Sequence, residues 1–182
     1  MTGLTSADAE TFSRCMSVGG VAVFPADTVY GLAWSAGDEA ARDRVYALKG
    51  RAPDKPAALM VFAEVALPDL PPRTAAAVRA LAPGPLTFVV GELGFRWPDL
   101  PLLAGAPVVV RQTSANRSGE PDPRTLAGVP QEIRAAADLV LDGGELPGTP
   151  STVVDLTGYE IDGSWTILRE GAVPRATLLA VL

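Results

Sequence analysis

Histidine is absent from this sequence, and cysteine occurs once, at Cys15. Without histidine there is no Ser-His-Asp or Cys-His nucleophile pair, no imidazole general base and no histidine-ligated zinc. A lone cysteine forms no intrachain disulfide and no cysteine-rich metal site, so nothing marks an oxidising compartment, and Cys15 reads as a small buried hydrophobe. Long apolar runs are missing too. None approaches the ~18 residues of a membrane span, and the opening residues lack the basic start and apolar core of a secretory signal. The expectation is a cytoplasmic protein with no membrane attachment. Fifteen Lys and Arg stand against twenty-one Asp and Glu, a net charge of -6. That balance repels the phosphates of a long nucleic acid, and strong direct binding to bare RNA is not expected.

What is present suits one ordinary domain: 182 residues, 48% of them hydrophobic, enough to fill a single core over residues 1–182. Short apolar runs bounded by Gly, Pro and small polar residues predict strands over 21–24, 29–34, 57–62, 86–90, 108–110, 139–141, 152–156 and 165–168. Between them, helical spacing predicts a first helix capped by Ser6 or Asp8 and ending near Gly19. Further helices are expected over 38–48, 73–81 and 130–137, with a short one at the C-terminus. Gly50 is placed to end the second of these. Such alternation defines an α/β fold.

Polar residues collect at the ends of the predicted strands, where open α/β sheets place ligand sites. Pro25-Ala26-Asp27-Thr28 is one such cluster, although a turn accounts for Pro25 and Asp27. Lys49-Gly50-Arg51-Ala52-Pro53-Asp54-Lys55 sets three cations within a short loop of an acidic protein. Lys49 suits a helix C-terminus, but Arg51 and Lys55 lie beyond it, and Pro53 and Pro56 stiffen the chain that carries them. Thr113-Ser114-Ala115-Asn116-Arg117-Ser118-Gly119 offers small hydrogen-bonding groups with Arg111, Arg117 and Arg124 nearby, a composition suited to an anion or a nucleotide. Ser151-Thr152 and Arg169 complete the set. Neither a G-x-x-x-x-G-K-[ST] loop nor a G-x-G-x-x-G turn is present, so the residues alone define an anion-binding α/β enzyme.

In order, these clusters resemble the motif series of the YrdC-like family, whose main members are threonylcarbamoyl-AMP synthases. The resemblance rests on residues 24–32, Lys49-Gly50-Arg51, Pro83-Gly84-Pro85-Leu86-Thr87, residues 113–119, Ser151-Thr152-Val153-Val154-Asp155 and Leu168-Arg169-Glu170-Gly171. It implies a twisted mixed open sheet flanked by helices, with a concave, positively charged cavity, in the short form without an appended domain. It implies synthesis of threonylcarbamoyl-AMP and pyrophosphate from ATP, L-threonine and bicarbonate, with magnesium accompanying ATP and no metal-ligating cluster in the protein. The product would pass to a tRNA threonylcarbamoyl-transferase complex. By the same resemblance Lys49 and Arg51 are catalytic and, with Lys55, Ser114, Asn116 and Arg169, bind ATP, while Thr28, Arg96, Gln112 and Ser151 contact threonine. Three departures stand out. The segment before Arg96 is short, Met60 replaces a histidine common near threonine, and Arg111-Gln112 is unusual. A YciO-like paralogue with another substrate, a non-catalytic RNA-binding module and a carbamoyl-transfer domain of the hydrogenase-maturation kind are the competing readings.

Overall fold

Strands β1 (Ala22–Pro25), β2 (Tyr30–Ser35), β3 (Ala58–Met60), β4 (Leu86–Val90), β5 (Leu93–Arg96), β6 (Val110–Ser114), β7 (Leu139–Val140), β8 (Thr152–Asp155) and β9 (Thr166–Arg169) join in one mixed, twisted sheet. The computed structural model that shows this describes residues 4–100, 103 and 108–182. The strand order is β7-β1-β2-β6-β3-β5-β4-β8-β9, with β1/β7, β3/β5 and β4/β8 parallel and the other neighbours antiparallel. Helices α1 (Ser6–Ser17), α2 (Glu39–Lys49), α3 (Pro72–Leu81), α4 (Gln131–Ala136), α5 (Tyr159–Asp162) and α6 (Arg175–Leu179) flank it. None is long and apolar enough to cross a membrane among the described residues.

Successive side chains on a strand point to opposite faces, and both faces here are apolar. Phe24, Ala33, Met60 and Val110 pack on Phe12 and Met16 of α1. From the other face Val23, Leu32 and Trp34 meet Ala41, Val45 and Tyr46 of α2 and Ile133 of α4. Farther along the sheet Phe88, Phe95 and Val154 pack on Ala77 and Val78 of α3, with Tyr159 and Leu178. Each Val, Leu, Ile, Phe or Met among them, fully buried, stabilises the fold by roughly 1.5–3 kcal/mol before entropy is counted, and each alanine by less.

Local signals account for most element ends. Asp38 caps α2 through Ala41 N at 2.9 Å, and Gly50 ends it at φ +59°, a left-handed conformation that a side chain would strain. The cap of α1 is Thr5 rather than Ser6 or Asp8; Asp8 instead completes a reciprocal capping box by accepting from Thr5 N at 2.7 Å. Cys15 is half-buried against the α1 cluster, not fully buried, and burial raises its thiol pKa.

Three departures from the sequence expectations matter for the site. The strand expected over 108–110 runs instead from Val110 to Ser114, because β2 and β3 pair with it on both sides and their ladders override its polar composition. β5 was not anticipated: Gly94 dilutes its pattern, and it exists as the return arm of a hairpin turning at Gly91-Glu92. Arg169 lies within β9 rather than after it, opposite Val153, and a bulge between Val153 and Val154 shifts the register there.

Candidate functional site

The sheet's pleat builds a cleft. Phe88 and Phe95 turn into the α3 cluster, so their neighbours Thr87 and Arg96 face the other way. Gln112 and Ser114 share the face of Val110, whereas Arg111 points to the α2 side. These side chains join Thr28 from the β1–β2 bend, Arg51 and Pro56 from the α2–β3 connection, Ala58 at the start of β3, Asp122, Ser151, Val153 and Arg169 around a cleft of about 220 Å³. Its lining carries three guanidinium groups, Arg51, Arg96 and Arg169, against the carboxylate of Asp122.

At one corner Arg96 Nη2 donates to Asp27 Oδ1 at 2.5 Å, both side chains being nearly fully buried. Burial raises the Asp27 carboxyl pKa, with the Arg96 guanidinium pulling it back. Asp27 Oδ2, Thr28 Oγ1 and Arg96 Nε are buried without a hydrogen-bond partner. Three polar atoms left open at one corner cost stability unless something polar binds there, which marks this corner as a recognition point.

On the opposite wall Ser151 is central. Its Oγ lies 2.8 Å from Thr87 Oγ1, and its carbonyl accepts from Arg169 Nε at 3.2 Å and Nη2 at 2.7 Å, with Nη2 also 3.1 Å from Ser151 Oγ. Gly171 makes this approach possible, since a Cβ there would lie 2.6 Å from the Ser151 carbonyl. Burial lowers the Arg169 pKa, partly offset by Asp122, and the group stays cationic at neutral pH.

Lys49 does not line the cleft. It is 3% exposed, and its Nζ donates to the Ser114 carbonyl, to the Asn116 carbonyl at 2.5 Å and to Asn116 Oδ1 at 3.0 Å. Asn116 is also fully engaged, accepting from Ser114 Oγ at 2.6 Å and donating to the Glu120 carbonyl at 2.5 Å. Lys49 and Asn116 therefore brace the end of β6 from behind Ser114. Burial, then the like charge of Arg51, brings the Lys49 pKa down to about 8, with Asp122 opposing. The unfolded chain holds this proton more tightly than the folded one between about pH 8 and the ordinary lysine value of 10.5, so unfolding free energy should rise with pH across that window. Urea titrations of wild type and Lys49→Met should diverge there, the wild-type advantage growing by up to about 3 kcal/mol. Parallel curves would mean the ammonium titrates as in solution.

Of the residues expected in the site, Thr28, Arg51, Arg96, Gln112, Ser114, Ser151 and Arg169 come together around the cleft. Lys49 and Asn116 stand one layer behind. Lys55 is exposed and outside the lining; its carbonyl, accepting from Tyr46 Oη, is what faces the fold. Met60 is fully buried in the α1 cluster and also outside the lining. The arginines in and around the 113–119 run lie elsewhere: Arg117 pairs with Glu132, Arg124 with Glu145, and Arg111 reaches the Ala57 carbonyl. Sequence reasoning missed Thr87, Asp122 and the pairing of Asp27. A turn explained Asp27 well enough on its own, and its partner is visible only once β5 is placed beside β3.

A family model described as telomere recombination, covering Sua5, YciO and YrdC, matches residues 14–171. The chain belongs to this family. It is 30% identical over 179 residues to the threonylcarbamoyl-AMP synthase of Pyrococcus abyssi, a match spanning 86% of this chain and 52% of that protein. The crystal structure of P. abyssi Sua5 complexed with L-threonine superposes with a TM-score of 0.85 at 27% identity, over 98% of this chain and 58% of that one. The chain thus spans about half the length of these relatives. E. coli YciO has the same fold, with a TM-score of 0.75 at 23% identity over 94% of this chain and 92% of that one.

Proposed function

We propose that this chain is an L-threonylcarbamoyladenylate synthase, acting in the cytoplasm on L-threonine, bicarbonate and ATP. The observation that carries the reading is one cleft joining Thr28 and Arg96, each with a buried polar atom that lacks a partner and the Arg96 guanidinium paired with Asp27 outside the lining, to a rim that holds Arg51 and Arg169. Relatives named threonylcarbamoyl-AMP synthase and the likeness to a threonine-bound Sua5 support it.

In this reading Arg96 takes the threonine carboxylate, with Gln112, Thr28 and Ser151 completing the amino-acid side. Ser114, Arg51 and Arg169 receive the nucleotide, and Lys49 and Asn116 hold Ser114 in place. The amine condenses with bicarbonate, forming a C–N bond and releasing water. A carbamate oxygen then attacks the α-phosphorus of ATP as the bond to the β-phosphate oxygen breaks and pyrophosphate leaves. Transfers of this kind depend on positioning and on neutralising charge, which guanidinium groups provide and histidine need not. Among the described residues no three His, Cys, Asp or Glu form a metal-binding cluster. Asp122, the carboxylate in the lining, would be the group to share a magnesium ion bound with ATP, and that ion would neutralise triphosphate charge. A tRNA threonylcarbamoyl-transferase complex is the consumer of such a product.

Incubation of the purified protein with ATP, L-threonine, bicarbonate and magnesium should yield threonylcarbamoyl-adenylate, detected by mass spectrometry, only when all three substrates are present. ATP turnover indifferent to threonine and bicarbonate, or no turnover, would refute the proposal.

A further inference from the structure

The loop over residues 51–57 carries Arg51 yet contains no regular helix or strand. Arg51 N–H donates to the Tyr46 carbonyl at 2.9 Å and Lys55 N–H to the Ala52 carbonyl at 3.2 Å, but Pro53 and Pro56 have no N–H, and the 55–57 end of the loop is held through its carbonyls. Three consecutive carbonyls are each taken by a different side chain. Tyr46 Oη donates to the Lys55 carbonyl at 2.7 Å, Arg51 Nη2 to the Pro56 carbonyl at 2.8 Å, and Arg111 Nη1 to the Ala57 carbonyl at 2.9 Å. Arg51 also lies over the Tyr46 ring, its Cζ 5.5 Å from the centroid. Tyr46 in turn meets Trp34 edge to face, centroids 6.2 Å apart, and Trp34 is the register partner of Arg111 between β2 and β6. Neither Tyr46 nor Arg111 lines the cleft; both work from the α2 side of the sheet.

We infer that Tyr46 and Arg111 are positioning residues that aim the Arg51 guanidinium at the nucleotide without touching it. Fixing the carbonyls at 55 and 57 fixes the Pro56 carbonyl between them, and that carbonyl holds Arg51. The inference deepens the nucleotide-binding reading of Arg51 and rests on it. It also gives Arg111, which stands out from the valines before it, a task on the face away from the cleft.

Tyr46→Phe keeps the ring beneath Arg51 and removes one donor; Arg111→Met removes the other, and Arg111→Lys restores a single donor. Calorimetric titration with MgATP and, separately, with L-threonine reads the two halves of the cleft, and hydrogen exchange of the amides of Ala52, Asp54, Lys55 and Ala57 in the free protein reads the loop. Tyr46→Phe and Arg111→Met should each weaken MgATP binding about five- to tenfold, leave threonine affinity within about twofold and speed exchange in the loop, because a mobile arginine must be ordered on binding. Arg111→Lys should recover most of the loss. Unchanged loop exchange with unchanged MgATP affinity, or equal losses for MgATP and threonine, would overturn the inference. If Arg111→Met does not fold, Tyr46→Phe decides. A wild type that binds no MgATP would overturn the functional reading beneath it, a distinguishable result because loop exchange is measured without ligand.

Discussion

Asp27→Ala is expected to lower folding stability by about 3–5 kcal/mol, the largest single-residue effect in this protein outside the apolar core. The side chains of Asp27 and Arg96 are 7% and 5% exposed, and truncating the carboxylate leaves the guanidinium in the interior with no counter-charge. Arg96 Nε already lacks a partner, so the site has no spare acceptor to take over. Arg96→Met should cost a similar amount by stranding Asp27. The double variant should recover much of the loss, since removing both charges also removes the desolvation cost of each. Urea unfolding of the four proteins measures this cycle. A cost below about 1 kcal/mol for Asp27→Ala would mean that water reaches the pair and that the corner is no dry recognition point.

Arg51 carries the second large effect. Arg51→Lys should reduce the kcat/KM of pyrophosphate release at least tenfold, about 1.4 kcal/mol of transition-state stabilisation, and Arg51→Ala should reduce it further. Lysine keeps the charge but cannot hold the Pro56 carbonyl and a phosphate oxygen with one rigid plane. The guanidinium packs over Tyr46, so Arg51→Ala should also cost about 1 kcal/mol of stability, more than a solvated surface arginine would. Full activity in both variants would remove Arg51 from the site, and a collapse of the unfolding midpoint in Arg51→Lys would make its role structural.

The sequence made the α/β alternation readable because its strands are short valine-rich runs separated by Gly and Pro, and because Asp38 and Gly50 bound α2 by side-chain and backbone chemistry that needs no tertiary partner. The cleft was readable in part for the same reason: Thr28, Ser151 and Arg169 lie at or near strand ends that apolar pattern alone can place, whereas Ser114 ends a strand whose polar residues are held by pairing with β2 and β3. What stayed hidden depends on neighbours distant in sequence. β5 has four residues and exists through its pairing with β3 and β4, and only that pairing brings Arg96 to Asp27. The layer behind the cleft is hidden in the same way. Lys49 reads as a helix-end cation, and nothing local announces that its ammonium crosses to the carbonyls of residues 114 and 116. Arg111 reads as part of a cationic cluster until the pleat sends it to the opposite face from Gln112.

Among the described residues, Arg169 is carried by a strand that ends the sheet, paired to β8 alone. Elements with a single neighbour open locally at a lower free energy than the centre of a sheet, and opening β9 breaks one ladder, the Arg169–Ser151 contacts and the packing of Trp165 and Ile167. Most of the cleft would survive such an opening, because Thr28, Gln112 and Ser114 belong to the interior strands or their connections, but Ser151 would lose its cationic partner. A ligand that needs Arg169 in place therefore binds only the closed edge and, by mass action, holds it closed. Occupancy of the cleft and fraying of this margin are then two readings of one equilibrium.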